Sequence, residues 1–466
     1  MYDVKSSNAR EFISHEEIMA TLAWAQENKN NDELISHIMQ KAAEKKGLHH
    51  REAVLLLLGG ESGKIFEIAR EIKRSFYGDR VVLFAPLYLS NHCVNGCVYC
   101  PFNAGNTEMP RKKLSQDEIR REVIALQDMG HKRLAVETGE HPRHSPIDYV
   151  LESIKTIYDI QHRNGAIRRV NVNIAATTVE NYRKLKAAGI GTYLLFQETY
   201  HEGTYNQIHP SGPKSDYVYH TEAMDRAMQG GVDDVGLGVL FGLADYAYEF
   251  CALLMHAEHL EAVYGVGPHT LSVPRIRRAQ GVDTGSFSHG IDDETFTRII
   301  ACLRISAPYT GIIVSTRESG ECRKRALDAG VSQISGGSRT SVGGYDMPDE
   351  ETRQFEVNDN RSLDEIVHWL IGIGYIPSFC TACYREGRVG DRFMKLCKTG
   401  QIQNCCHPNA LLTLQEYLLD YAKENTKKAG EELIGREVIK IPNMKTREIV
   451  FKNLERIKKG SRDFRI

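Results

Sequence analysis

From Val81 onward, short β-branched and apolar runs alternate with amphipathic stretches at helical spacing, and this alternation leaves few folds open to the chain. The runs fall near Val81–Leu89, Arg133–Thr138, Arg169–Ile174, Thr192–Gln197, Asp234–Phe241, Thr270–Val273, Gly311–Thr316 and Ser332–Ser335. Eight strand–helix units in roughly 250 residues match a (β/α)8 TIM barrel, whose chemistry sits at the C-terminal ends of the strands. The expected α/β architecture is a barrel over 81–345, an N-terminal helical extension over 1–80 and a mostly helical C-terminal region over 346–466.

Local signals agree. Ser115 and Glu118 form a capping box, and Gly130, Gly189, Gly230 and Gly330 read as left-handed helix stops. Gly343 to Asn360, rich in Gly, Asp and Glu, reads as a linker. Lys plus Arg number 59 against 61 Asp plus Glu, with no long block of either sign, so nothing asks for nucleic acid. The longest apolar run, Ala53–Leu58, is far too short for a bilayer, and the N-terminus lacks a signal peptide's apolar core. A cytoplasmic protein is expected. There its eleven Cys are metal ligands, reactive thiols or small core residues in preference to disulfides.

Just after the first strand, Cys93, Cys97 and Cys100 are spaced CxxxCxxC. Three thiolates on so short a loop converge on one metal centre and leave a fourth position unfilled by protein. A closed zinc site would need a fourth ligand; His92 is available, but its place next to Cys93 makes convergence awkward. The pattern, with Tyr99 before the last Cys, resembles the radical SAM superfamily. The resemblance implies a [4Fe-4S] cluster on Cys93, Cys97 and Cys100 that chelates S-adenosylmethionine. It also implies cofactor-binding roles for Tyr99, for Gly139 and Glu140 at the end of the second strand, and for Glu198 and Arg226. Thr138 stands where the superfamily's GGE-type motif has its first glycine.

A second group lies near the end: Cys380 and Cys383 as CxxC, then 22 residues, then Cys406. Cys405 and Cys397 compete for the third place on spacing alone, and a zinc site completed by His407 or Cys397 is the rival reading. This motif, with Phe196–His201, Asp234–Leu243, Gly267–Pro274 and Ser315–Glu318, resembles the HydG family, the tyrosine lyases of [FeFe]-hydrogenase maturation. Tyrosine lyases of the ThiH type share the barrel motifs without this tail.

The HydG resemblance implies a second, C-terminal iron–sulfur cluster on Cys380, Cys383 and Cys406. It carries an extra labile iron that His269 ligates and free cysteine completes. It further implies cleavage of tyrosine to p-cresol and dehydroglycine, conversion of the latter to carbon monoxide and cyanide, and partnership with a reductant protein and the maturases HydE and HydF. His269 precedes the sixth strand, which puts it at the bottom of the barrel, opposite the first cluster. Arg317 and Glu318, after the seventh strand, are the catalytic candidates, Arg317 by clamping the tyrosine carboxylate bidentately. The bland alternative is an ion pair of Arg317 with Glu318 or Glu321. Two sites at opposite ends predict a water-filled passage between them, for which Gly236, Gly238, Ala175 and Ala176 would leave room. An aromatic amino-acid lyase with a structural or electron-relay tail cluster, and a non-catalytic iron–sulfur scaffold, are the competing readings.

Overall fold

The structure, a computed structural model, describes residues 1–466. Eight parallel strands follow one another around a closed barrel: β1 Arg80–Ser90, β2 Arg133–Thr138, β3 Arg169–Asn173, β4 Tyr193–Glu198, β5 Val235–Val239, β6 Thr270–Ser272, β7 Gly311–Val314 and β8 Gln333–Ser335. Closure comes from β8 returning to β1, with Val82 opposite Gln333 and Phe84 opposite Ser335. A parallel barrel is covered on both faces, so its strands read as continuous apolar runs; every residue of β5 and β7 is buried. The Ser115–Glu118 capping box forms as expected. The left-handed stop expected at Gly230 falls one residue later: Gly230 is helical, and Gly231 has φ of 86°.

One apolar core runs through the N-terminal helices, the barrel and the C-terminal helices. The helix His50–Leu58 ends against the barrel helix Asp293–Ser306, where Arg298 acts as its C-cap. The guanidinium donates to the carbonyls of Leu56 and Leu57 at 2.7 Å each and Gly60 at 2.6 Å, and to Ser62 Oγ at 2.6 Å. Helix ends leave such carbonyls without intrahelical partners, and a cation there also suits the helix dipole.

Two features lay outside the sequence reading. A ninth strand, β9 Ile376–Ser378, joins the first residues of β1, with Arg80 opposite Ile376 and Val82 opposite Ser378. It carries the chain directly into Cys380. The segment read as a linker is instead packed onto the upper end of the barrel: Val342, Thr352 and Asp359 are buried, Asp359 pairs with buried Arg323, and Tyr88 donates to Gln354 at 2.8 Å. Its polar composition mimics a linker because its anchors are ion pairs and hydrogen bonds to distant strands.

Replacing Arg298 with Ala leaves three carbonyls without their cation and is expected to cost about 3 kcal/mol, read as a lower urea midpoint with an unchanged CD spectrum in native buffer.

Candidate active site and second cysteine site

At the top of the barrel lies a cavity of about 250 Å³, walled by Cys93, Cys97 and Cys100 on one side and by the ends of β2, β4 and β7 on the others. The cysteine loop is held by backbone bonds to two neighbours. Val94 N–H donates to Glu140 O at 2.8 Å, Gly96 N–H to Ser211 O at 3.0 Å and Val98 N–H to Ile208 O at 3.0 Å. Arg111 ties the loop's ends together through the carbonyls of Asn91 and Phe102, both at 2.8 Å. Gly139 is demanded by packing: a Cβ there would stand 2.4 Å from His92 O. His92 itself stacks on His144 at 3.8 Å and does not line the cavity.

The three cysteines line one cavity from a single short loop and offer three thiolates to one centre, with no fourth thiol in the wall, as a cluster with one iron left open to a small ligand requires. Burial pushes the Cys97 thiol up to about 11 and the Cys100 thiol higher still. Thiols so placed become ligands only when a metal centre displaces their protons. This chain's residues therefore fit a [4Fe-4S] cluster on Cys93, Cys97 and Cys100.

The other upper residues divide. Glu140 accepts from Asn95 Nδ2 at 2.6 Å, and Asn95 in turn approaches Cys93 Sγ at 3.7 Å. Glu198 has φ of 68°, a left-handed strain held at a functional site, and accepts from Lys214 Nζ at 3.0 Å. Tyr99 donates or accepts across 2.9 Å with His209. All of these except His209 line the cavity, and Asn95 and Lys214 were missed because their partners are distant in sequence. Arg226 is placed elsewhere: its guanidinium is used by the carbonyls of Thr177 and Tyr219 and lies 3.8 Å over the Tyr219 ring. Arg317 lines the cavity, stacked 3.8 Å over Phe355, with Nε unpartnered and only Nη1 engaged, at 3.3 Å from Arg275 O. Glu318 turns away from both, buried in an ion pair with Arg275 and with Arg277 Nη2 at 2.6 Å. Its carboxylate is engaged by these two guanidiniums, and the alternative pairing with Arg317 does not form.

At the bottom, a cavity of about 60 Å³ is lined by Cys380, Cys383, Cys406 and His269 together. Cys397 packs instead among Phe393 and Ile402, Cys405 does not line the space, and His407 bonds Glu437 O at 3.2 Å. Arg80, Arg133, Arg169 and Arg388 complete the wall. Arg80, Arg133 and Arg388 each leave Nε unpartnered although buried, a sign that the space takes an anionic group. A hydrogen bond from Cys406 and the Arg388 guanidinium hold the Cys383 thiol below its usual value. Burial lowers the His269 imidazole to about 4, so its ring is neutral, with Nδ1 unpartnered. The donor set of three thiols and an imidazole fits an iron–sulfur centre.

Arg133 and Gln333, 3.4 Å apart, line the lower of the two cavities in the barrel interior. Gly236 and Gly238 do not widen it: a Cβ at either would strike Leu194 or Phe196 at 2.3 and 2.4 Å, so these glycines make room for neighbouring side chains. Ala175 does line the upper cavity; Ala176 does not.

A barrel with three thiols at its mouth above a walled cavity is the design of an enzyme that binds a small cofactor beside a metal cluster. Residues 87–248 match the model of the Radical SAM superfamily, and residues 272–376 that of the Biotin and Thiamin Synthesis associated domain. The 2-iminoacetate synthase of Salmonella typhimurium is 33% identical over 67% of this chain and 81% of its own. A crystal structure of HydG, a maturase of the [FeFe]-hydrogenase, superposes with a TM-score of 0.95 at 53% identity, covering 98% of this chain and 100% of that one. The HydG of Carboxydothermus hydrogenoformans gives 0.83 at 38%, covering 96% and 99%. The chain belongs to the HydG family of radical SAM lyases.

Within the upper cavity, Glu137 is a carboxyl raised from 4.5 to about 8 by burial. The folded state then binds a proton that the unfolded state releases, so this group erodes stability as pH rises from about 4.5 to about 8. The Glu137→Gln variant escapes the loss. Its advantage in urea midpoint over the parent, measured on cluster-free protein, should grow between pH 5 and 8 and level off above.

Proposed function

We propose that this enzyme cleaves the Cα–Cβ bond of tyrosine to p-cresol and dehydroglycine in the upper cavity and turns dehydroglycine into carbon monoxide and cyanide at the lower one. The observation that carries the reading is the pairing of two separate thiol-lined cavities at opposite ends of one barrel. The upper cluster, when bound, supplies the electron that cleaves S-adenosylmethionine to a 5′-deoxyadenosyl radical. Around it, Glu140, which accepts from Asn95, would hold the methionine ammonium, and Glu198, anchored by Lys214, the ribose hydroxyls. Arg226, turned away to Thr177 and Tyr219, is left out of this set.

Arg317 is the substrate clamp in this reading. Its planar fork faces the cavity largely free, and a bidentate grip on the tyrosine carboxylate fixes the amino group for hydrogen abstraction. Dehydroglycine, HN=CH–COO⁻, contains the atoms of carbon monoxide, cyanide and one water, so the second stage needs no further carbon source. It is also 2-iminoacetate, the compound for which the Salmonella relative is named. The carboxylate would find the lower cavity's arginines attractive. There Cys380, Cys383 and Cys406 would hold the second cluster and His269 the labile iron, a cargo completed by free cysteine and passed on as an iron–CO–CN precursor of the hydrogenase active site. The partners in this reading are a reductant protein, HydE and HydF, in the cytoplasm, where thiols stay reduced.

Anaerobic turnover with tyrosine and S-adenosylmethionine should release p-cresol, carbon monoxide and cyanide from the parent protein. The double variant Cys380→Ala, Cys383→Ala should keep p-cresol formation within about threefold and lose carbon monoxide; loss of both activities in a folded variant would sink the two-site scheme. Arg317→Lys removes a bidentate contact worth roughly 2–3 kcal/mol. It should cut kcat/KM for tyrosine about 100-fold while S-adenosylmethionine binds unchanged by equilibrium dialysis.

A further inference from the structure

Away from both cavities, where the N-terminal helices meet the barrel's flank, three side chains from two elements converge. His49 and His50 open the helix His50–Leu58, and Glu258 lies on the barrel helix Tyr246–Tyr264. Their ligand atoms all stand within 4.8 Å of one another. Glu258 Oε2 is 2.8 Å from His50 Nδ1 and 3.5 Å from His49 Nε2. Ligands about 2.0–2.1 Å from a tetrahedral zinc stand roughly 3.3 Å apart, and the two distances bracket that value. We propose that His49, His50 and Glu258 form a zinc site that staples the N-terminal helices to the barrel, with a fourth position open to water on the exposed side of His49.

The surroundings of His50 point the same way. Its ring is fully buried, and its far nitrogen, Nε2, lies 3.2 Å from Glu17 Oε1 on a third helix, His15–Asn28. Glu17 is itself fixed by Arg51, through Nε at 2.7 Å and Nη2 at 2.9 Å. A histidine that binds metal through one nitrogen commonly donates the other N–H to such a carboxylate, which sets the tautomer and aims the lone pair at the ion. Glu258 is held in the same manner: its Oε1 accepts the His50 backbone N–H at 2.7 Å, which leaves Oε2 for the cluster. Among the ion pairs of Glu258 the partners are the two imidazoles, with no Lys or Arg, and the Tyr2 hydroxyl also reaches this carboxylate. The rival arrangement is a purely hydrogen-bonded His50 between Glu17 and Glu258, with no metal.

The test uses protein with both iron–sulfur centres reconstituted, so that the clustered thiols are occupied by iron. One equivalent of zinc is added anaerobically, the protein is dialysed against micromolar free zinc, and zinc per chain is measured by mass spectrometry with the shell read by X-ray absorption. The expected result is one zinc per chain with nitrogen and oxygen neighbours at about 2.0 Å and no sulfur at about 2.3 Å. Glu258→Gln and the solvent-exposed His49→Ala should each weaken retention at least tenfold, and Glu17→Gln by about 10–100-fold through its hold on His50. His49→Ala removes a half-exposed ring and keeps the buried packing, so its fold is expected to survive. Retention of less than a tenth of an equivalent by the parent, a sulfur shell, or zinc held equally well by His49→Ala would each overturn the site.

Discussion

The eleven-residue strand β1 is the element on which both sites depend. Its lower half, Arg80–Phe84, hydrogen-bonds to β8 and β9, and its upper half, Ala85–Ser90, to β2. Through β9 it positions Cys380 at one end of the barrel, and at its own end it releases the chain into the loop of Cys93, Cys97 and Cys100. At about 3.3 Å per residue, and allowing for tilt, the strand separates the two ends by on the order of 25 Å. A rigid parallel ladder thus sets the distance between the two cavities.

Charge divides the two ends. The upper cavity is mixed, with Glu137, Glu140 and Glu198 set against Lys214, Arg277 and Arg317. The lower one is lined by four arginines around three thiols. Buried guanidiniums with unpartnered Nε atoms are costly without an anion, so the lower cavity is preorganised for a negatively charged occupant.

The barrel was legible because parallel strands and their helices carry their periodicity locally. All eight barrel strands stand where the apolar runs put them; β9, Ile376–Ser378, and the two-residue strands Gln161–His162 and Gly165–Ala166 are too short to show a period. The cysteine triads were legible because loop spacing is a local property. Glu318 and Arg226 look available in the sequence because a charged residue beside a motif shows no partners there, and the partners they meet, Arg275, Arg277, Thr177 and Tyr219, come from elsewhere in the chain.

The amino-acid order alone determined the eight barrel strands, their parallel topology and the CxxxCxxC and CxxC motifs, since each follows from spacing within a dozen or so residues. Only the tertiary structure decided that Cys406 lines the lower cavity while Cys405 and Cys397 do not. It likewise decided that Asn95 and Lys214 belong to the upper site, and that the polar segment 343–360 closes over the barrel. The reason is the same in each case. Which atom faces a cavity depends on contacts between residues tens to hundreds of positions apart, and no local pattern encodes them.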